Sequence, residues 1–276
     1  MSDAEELTGY IDIWWQSIDD FTRFVEELAP AEWSNPTDLA GWDVHAVVAH
    51  IAHLEALLAG TAHDDHVDVG TPEHVKNPMG TFTEQGVAAR RDRTPDELIA
   101  EIRASATTRH TQHLAEPPSD AAAPAPGLFG AIGWNWQTLL RNRPLDVWMH
   151  EQDIRRAVGR PGNLDSPAAG HVLTVLGAAL PVVVGKRVAP PAGTVVTLHV
   201  DGHPSRAVRI NEAGRAEAAE ADAAATASVR LTRHAFAVLA GGRRSAEQVL
   251  AEPGQVLLEG DVELGRQVLA AMAVTP

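Results

Sequence analysis

The sequence predicts an α+β protein, with an N-terminal four-helix bundle followed by a smaller C-terminal α+β domain. Three observations carry this expectation: apolar residues recur at spacings of three and four through the first part of the chain, Arg160-Pro161-Gly162 breaks that pattern, and from Thr194 onward the period falls to two. The first spacing is the stripe of an amphipathic helix, and the second is the alternation of a half-buried strand. A length of 276 residues suits two domains, expected at residues 1–160 and 166–276.

Each element has its own signal. Ile11, Trp14, Trp15, Ile18, Phe21, Val25 and Leu28 form the first helical stripe, which Pro30 ends. Val44, Val47, Val48, Ile51, Leu54 and Leu58 form the second, with Asp43 as its N-cap. Residues 60–79 lack periodicity and read as a long loop. Thr94-Pro95-Asp96-Glu97 is a capping box with proline at the first helical position, and it opens a third long helix. The Pro- and Ala-rich run 117–127 is a loop, and a fourth helix is expected over about 134–158. Ser166-Pro167 starts one further helix toward Gly185. Beyond it, residues 194–200 and 207–210 read as a hairpin around Asp201-Gly202. Residues 227–231 and 256–259 read as strands, Thr232 as the cap of a short helix to Leu239, and residues 262–272 as a closing helix. The Ala- and Glu-rich segment 212–225 is low in complexity and reads as a loop or frayed element.

Composition narrows the function. Hydrophobic residues make up 45% and charged residues 21%, enough apolar material for cores that offset the entropy of ordering. The formal net charge of −15, from 22 basic and 37 acidic side chains, repels phosphate backbones and anionic lipid surfaces. Neither nucleic acid nor a membrane is therefore an expected partner, and no stretch reads as the ~20 apolar residues of a membrane span. The first 30 residues hold acids and tryptophans in place of a basic segment and an apolar run, so no signal peptide is expected and the cytoplasm is the default compartment. The chain has no cysteine, which removes disulfides, thiolate ligands and a cysteine nucleophile together. Any thiol chemistry must bring its thiol from outside. No pattern specifies an oligomeric state.

A metal-type constellation stands out. His50 lies on the stripe of Val47, Ile51 and Leu54, whereas His45 and His53 point about 140° and 60° away from it at ~100° per residue. On the fourth helix Asp146 and His150 are four residues apart, which puts their β-carbons about 5–6 Å apart on one face. Two neutral imidazoles and one carboxylate make a three-ligand set that leaves a position open for water or substrate. Plainer readings exist as well: His50 as a core histidine, and Asp146 with His150 as a solvated surface pair. His63, Asp64, Asp65, His66 and Asp68 also carry metal-type side chains, but on a loop with no rigid element to hold them, and read as a flexible acidic loop.

The stretch Gly41-Trp42-Asp43-Val44-His45-Ala46-Val47-Val48-Ala49-His50 resembles the second-helix motif of the mycothiol-dependent maleylpyruvate isomerase family. Residues 146–161, running from Asp146 through His150 to Arg160-Pro161, are similar to that family's fourth-helix motif. The resemblance covers nearly the whole chain, with a weaker match over residues 256–276. It implies a DinB-like bundle followed by a domain resembling the sterol carrier protein fold. It also implies a divalent metal, zinc being the expected ion, held by His50, Asp146 and His150, which are then the catalytic residues too. The implied cosubstrate is mycothiol, acting on a small electrophile such as an unsaturated keto acid by isomerisation or S-transfer. Asp146 stands where the family usually has glutamate, so its carboxylate must come about one methylene nearer, and Pro144 either starts or kinks the helix there.

Arg90 and Arg91, Arg143, and Arg243 with Arg244 are candidates for gripping a substrate carboxylate by bidentate hydrogen bonds, the second-domain pair from across a cleft. Each is equally an ordinary surface arginine. Asp153 is a candidate to orient His150, and Trp14, Trp15, Trp134 and Trp136 read as core and cleft wall. Two chemistries stay open for a metal site: thiolate formation from an external thiol, and hydrolysis by an activated water. A non-catalytic small-ligand-binding protein is the third reading.

Overall fold

The computed structural model describes residues 2–61, 67–221 and 223–275, and the chain divides into two compact units, Met1–Gly162 and Asn163–Pro276. In the first unit, a capping box at Ser2 opens α1 (Asp3–Glu26), several residues before its apolar stripe begins. Asp43 caps α2 (Val44–Leu58) by accepting from the Ala46 N–H at 2.8 Å. Then come α3 (Pro78–Ala88), α4 (Pro95–Ala115) with its Thr94 capping box, the short α5 (Gly127–Ala131) and α6 (Trp136–Ala157). Helix α1 packs on α4 and α6, and α2 packs on α3, α4 and α6, so the four long helices form a bundle. Its core runs from Leu7, Trp14 and Phe21 on α1 through Val47 and Ile51 on α2 and Ile102 on α4 to Val147 and Ile154 on α6, all without exposed surface.

Two expectations change in this unit. Pro144 does not open α6; Asn135 does, by accepting from the Thr138 N–H, and the helix runs on through the proline. The loop after α2 ends sooner than periodicity suggests, because Asn77 caps α3 with Pro78 at its first position, the same signal that marks α4. His63, Asp64, Asp65 and His66 lie outside the described residues, whereas Asp68 is exposed and accepts from the Gly70 N–H at 2.9 Å.

The second unit begins with α7 (Pro167–Gly177), capped by Ser166, and α8 (Leu180–Val182), which continues into a π-helical turn at Val183–Val188. The 22 residues Pro167–Val188 are long and apolar enough to cross a membrane by length and composition alone, which corrects the expectation that no stretch reaches that length. Half of that window is buried, with Val172, Leu173 and Leu176 in the core, and α7 packs on α9 (Arg233–Ala240).

Among the described residues one sheet forms from β1 (Val195–Val200), β2 (Arg206–Ile210), β3 (Ala216–Ala219), β4 (Ala227–Leu231) and β5 (Val256–Gly260), in the order β3-β2-β1-β4-β5. Strands β1 and β2 make the expected hairpin with Val196 opposite Val208, and β1 runs parallel to β4 with Leu198 opposite Val229. The outer pairs are antiparallel. Helices α8, α9 and α11 (Val262–Ala270) pack against the strands, and α10 (Ala246–Ala251) packs on α9 and α11. Strand β3 replaces the reading of residues 212–225 as a loop or frayed element with a short regular strand over Ala216–Ala219. It is an edge strand with no buried residue, so no apolar alternation marks it. The chain is α+β, as its two periodicities require.

Candidate metal centre

Helix α2 carries His50, and α6 carries Asp146 and His150 one turn apart; the packing of α2 on α6 brings the three together. Nε2 of His50 lies 3.5 Å from Oδ1 and 3.4 Å from Oδ2 of Asp146, and Nε2 of His150 lies 3.5 Å from Oδ1. The histidine rings meet nearly edge to face with centroids 4.7 Å apart, and the three donor atoms all lie within 4.8 Å of one another. In a tetrahedral zinc site with bonds of about 2.0–2.2 Å, neighbouring ligand atoms sit about 3.4 Å apart. The group therefore fits a divalent ion in spacing as well as in chemistry. Both histidines are buried, and Asp146 is the partly open member, its side chain 27% exposed.

Two of the three side chains are oriented from behind. Nδ1 of His150 faces Oδ2 of Asp153 at 3.1 Å, and Asp153 is in turn paired with Arg156, which reaches Asp38 at 2.6 Å. A carboxylate on one ring nitrogen sets the tautomer and raises the basicity of the other, here Nε2. Oδ2 of Asp146 accepts from Nη1 of Arg143 at 2.8 Å, and Nη2 of the same guanidinium donates to Glu55 at 2.6 Å. Nδ1 of His50 is buried without a hydrogen-bond partner among the described residues, and the Trp42 indole lies against both rings, its centroid 5.1 Å from His50 and 6.1 Å from His150. Trp42 is held by Glu84, which accepts from its Nε1 at 2.9 Å and meets Nε2 of His74 at 3.0 Å. Gly41 before it has φ +81°, and a Cβ there would come within 2.6 Å of the His74 ring, so the Gly-Trp pair has a steric basis.

Burial and neighbouring charges act differently on the three side chains. Burial pushes the His50 imidazole below its usual value, outweighing the pull of Asp146. Burial acts the same way on His150, but Asp146 and Asp153 outweigh it and raise that imidazole. Burial opposes ionisation of Asp146, yet His50 and Arg143 hold its carboxyl well below the usual carboxylate range.

The other candidates lie elsewhere or are engaged. Nε and Nη2 of Arg90 donate to the two oxygens of Glu101 at 3.1 and 2.7 Å, and Nη1 donates to the Gly86 carbonyl. The fork expected to grip a substrate carboxylate is thus closed by one from the protein itself. Arg143 is similarly shared between Glu55 and Asp146, and Arg91 is exposed. In the second unit Arg243 donates to the Gly241 carbonyl at 2.6 Å and Arg244 pairs with Glu252. His45 meets the Arg93 carbonyl, whereas His53 is as buried as His50 but packs on Phe82 and Gly86 of α3. Trp14 is core, Trp15 stacks on His110, Trp134 packs on Phe129, and Trp136 meets His113 edge-on.

Sequence reasoning passed over Glu55 and Glu84. Glu55 did carry a signal, since it is the lone acid of α2, a helix otherwise apolar apart from its histidines, and an acid buried there needs a cationic partner.

Residues 14–155 match the family model described as the mycothiol maleylpyruvate isomerase N-terminal domain, and residues 171–266 match that described as the MDMPI C-terminal domain. The chain belongs to the mycothiol maleylpyruvate isomerase family. His50, Asp146 and His150 all fall inside the first match. Two solved structures share the isomerase fold with this chain: the mycothiol-dependent maleylpyruvate isomerase at 18% identity and a histidine-to-alanine mutant of it at 17%, each with a TM-score of 0.55 and 92% of both chains covered. No curated protein matches the sequence.

Proposed function

We propose that this protein is a metal-dependent, mycothiol-type thiol transferase or isomerase acting on a small electrophile. The observation that carries the reading is the meeting of His50, Asp146 and His150 at one point, in a member of this family whose chain has no cysteine of its own. A divalent ion held by these three side chains, zinc in our reading, would favour the thiolate of an incoming thiol and so supply the nucleophile the chain lacks. The protein's own residues prepare that role. Asp153 holds Nδ1 of His150 and directs Nε2 inward. Arg143 donates to Oδ2 of Asp146, which His50 also approaches, while Oδ1 stands 3.5 Å from both imidazoles. The Trp42 indole lies against both imidazoles on one side. Three protein ligands leave the further position that an external thiol needs.

Maleylpyruvate, the substrate in the name of the family, is the first electrophile to test. Zinc-loaded protein is expected to isomerise it only with mycothiol present, with turnover lost on chelation and in His150→Ala. Turnover that survives chelation would overturn the reading. So would a cobalt-loaded protein whose absorption spectrum mycothiol leaves unchanged.

A further inference from the structure

We propose that Glu55 is a positioning residue for the metal centre, acting through Arg143 to hold Asp146 with one oxygen turned toward the two histidines. The proposal rests on the metal reading above and deepens it. Glu55 has no exposed surface, and among the described residues its carboxylate is hydrogen-bonded to none of the three ligands. Its carboxylate instead gathers donors from three other helices: Nε1 of Trp14 on α1 at 3.0 Å, Nη1 of Arg109 on α4 at 3.3 Å and Nη2 of Arg143 on α6 at 2.6 Å.

Arg143 is the link. Its guanidinium is planar and rigid, so anchoring one terminal nitrogen on Glu55 sets the direction of the other, which donates to Oδ2 of Asp146 at 2.8 Å. Arg143 is 3% exposed, and a cation so buried must be met by carboxylates. With Glu55 in place, Arg143 spends one terminal nitrogen on each acid. Without that charge, the nearest carboxylate is Asp146, three residues along the same helix, and the favoured arginine geometry is a two-pronged grip on both of its oxygens. That grip would draw Oδ1 away from Nε2 of His50 and His150. Glu55 thus decides how Asp146 is divided between arginine and metal.

The test is a zinc or cobalt titration of metal-free full-length protein. Glu55→Gln keeps the shape and removes the charge; its metal dissociation constant is expected to rise by about 10–100-fold, the usual effect of losing an outer-sphere partner. Arg143→Met is expected to weaken binding as well, and the double variant Glu55→Gln/Arg143→Met no further than Arg143→Met alone, because Glu55 acts through that side chain. A role confined to the fold would lower unfolding stability in denaturant and leave the dissociation constant of the folded protein unchanged. An unchanged constant in Glu55→Gln, or losses that add in the double variant, would overturn the proposal. Should Glu55→Gln fail to fold, Arg143→Lys replaces it: a lysine offers one nitrogen on a flexible stem in place of the rigid fork, so the same weakening is expected, and an unchanged constant again overturns the proposal. Failure of wild-type protein to bind metal would instead overturn the reading beneath it, and the proposal with it.

Discussion

Nδ1 of His150 lies 3.1 Å from Oδ2 of Asp153, a carboxylate with no exposed surface three residues further along the same helix. A contact of this kind orients a ligand without joining the donor set. Asp153→Asn preserves the shape and removes the charge, so metal affinity should fall by about 10–100-fold with the helix content of the protein intact. A zinc titration followed by circular dichroism checks both halves of that expectation.

Bound metal should also stabilise the fold. At a free concentration one hundred times its dissociation constant, an ion that binds only the native state adds about 2.7 kcal/mol. Zinc should therefore raise the Tm of wild-type protein, and His50→Ala or His150→Ala should abolish that rise. Differential scanning calorimetry with and without a chelator measures it.

His113 makes the fold sensitive to acid. Burial, with Arg109 and His110 nearby, lowers its imidazole to about 4, and its Nε2 is buried without a hydrogen-bond partner among the described residues. An unfolded chain takes up that proton below about pH 6.5, whereas the folded chain resists it until about 4. The contribution is complete above the unfolded value and is lost as pH falls from about 6.5 toward about 4. Urea unfolding at a series of pH values should show a shallower decline over this window in His113→Leu than in wild type.

Gly86 on α3 should not tolerate a side chain. In an open helix Gly→Ala gains about 1 kcal/mol of propensity. Here the added Cβ would lie 2.2 Å from Cγ of His53, a residue only 1% exposed and packed against Phe82. Overpacking of that kind costs about 1–3 kcal/mol and reverses the sign. Gly86→Ala is expected to lower Tm, as thermal unfolding would show.

Much of the fold was legible because it is coded locally. Asp43 and Thr94 announce their helices through side chains that cap backbone N–H groups within the next turn, and the alternation in β4 reflects one buried face, whereas β1 is buried on both. The cap at Asn77 obeyed the same rule and was hidden only by the irregular stretch before it. Strand β3 had no such signal. Its pairing with β2 is made by the backbone, with Val208 opposite Ala218, while its side chains stay at the surface.

By itself the sequence determined which residues share a helix face, and so that His50 points inward and that Asp146 and His150 stack one turn apart. Only the tertiary structure decided that His50 meets an acid 96 residues away, and that Glu55 gathers Trp14, Arg109 and Arg143 from 41, 54 and 88 residues away. It also decided that Arg90 and Arg143 face carboxylates of the protein itself. The reason is physical: periodicity encodes the direction of a side chain relative to its own helix axis, whereas the partner of a buried charge is set by how the helices pack.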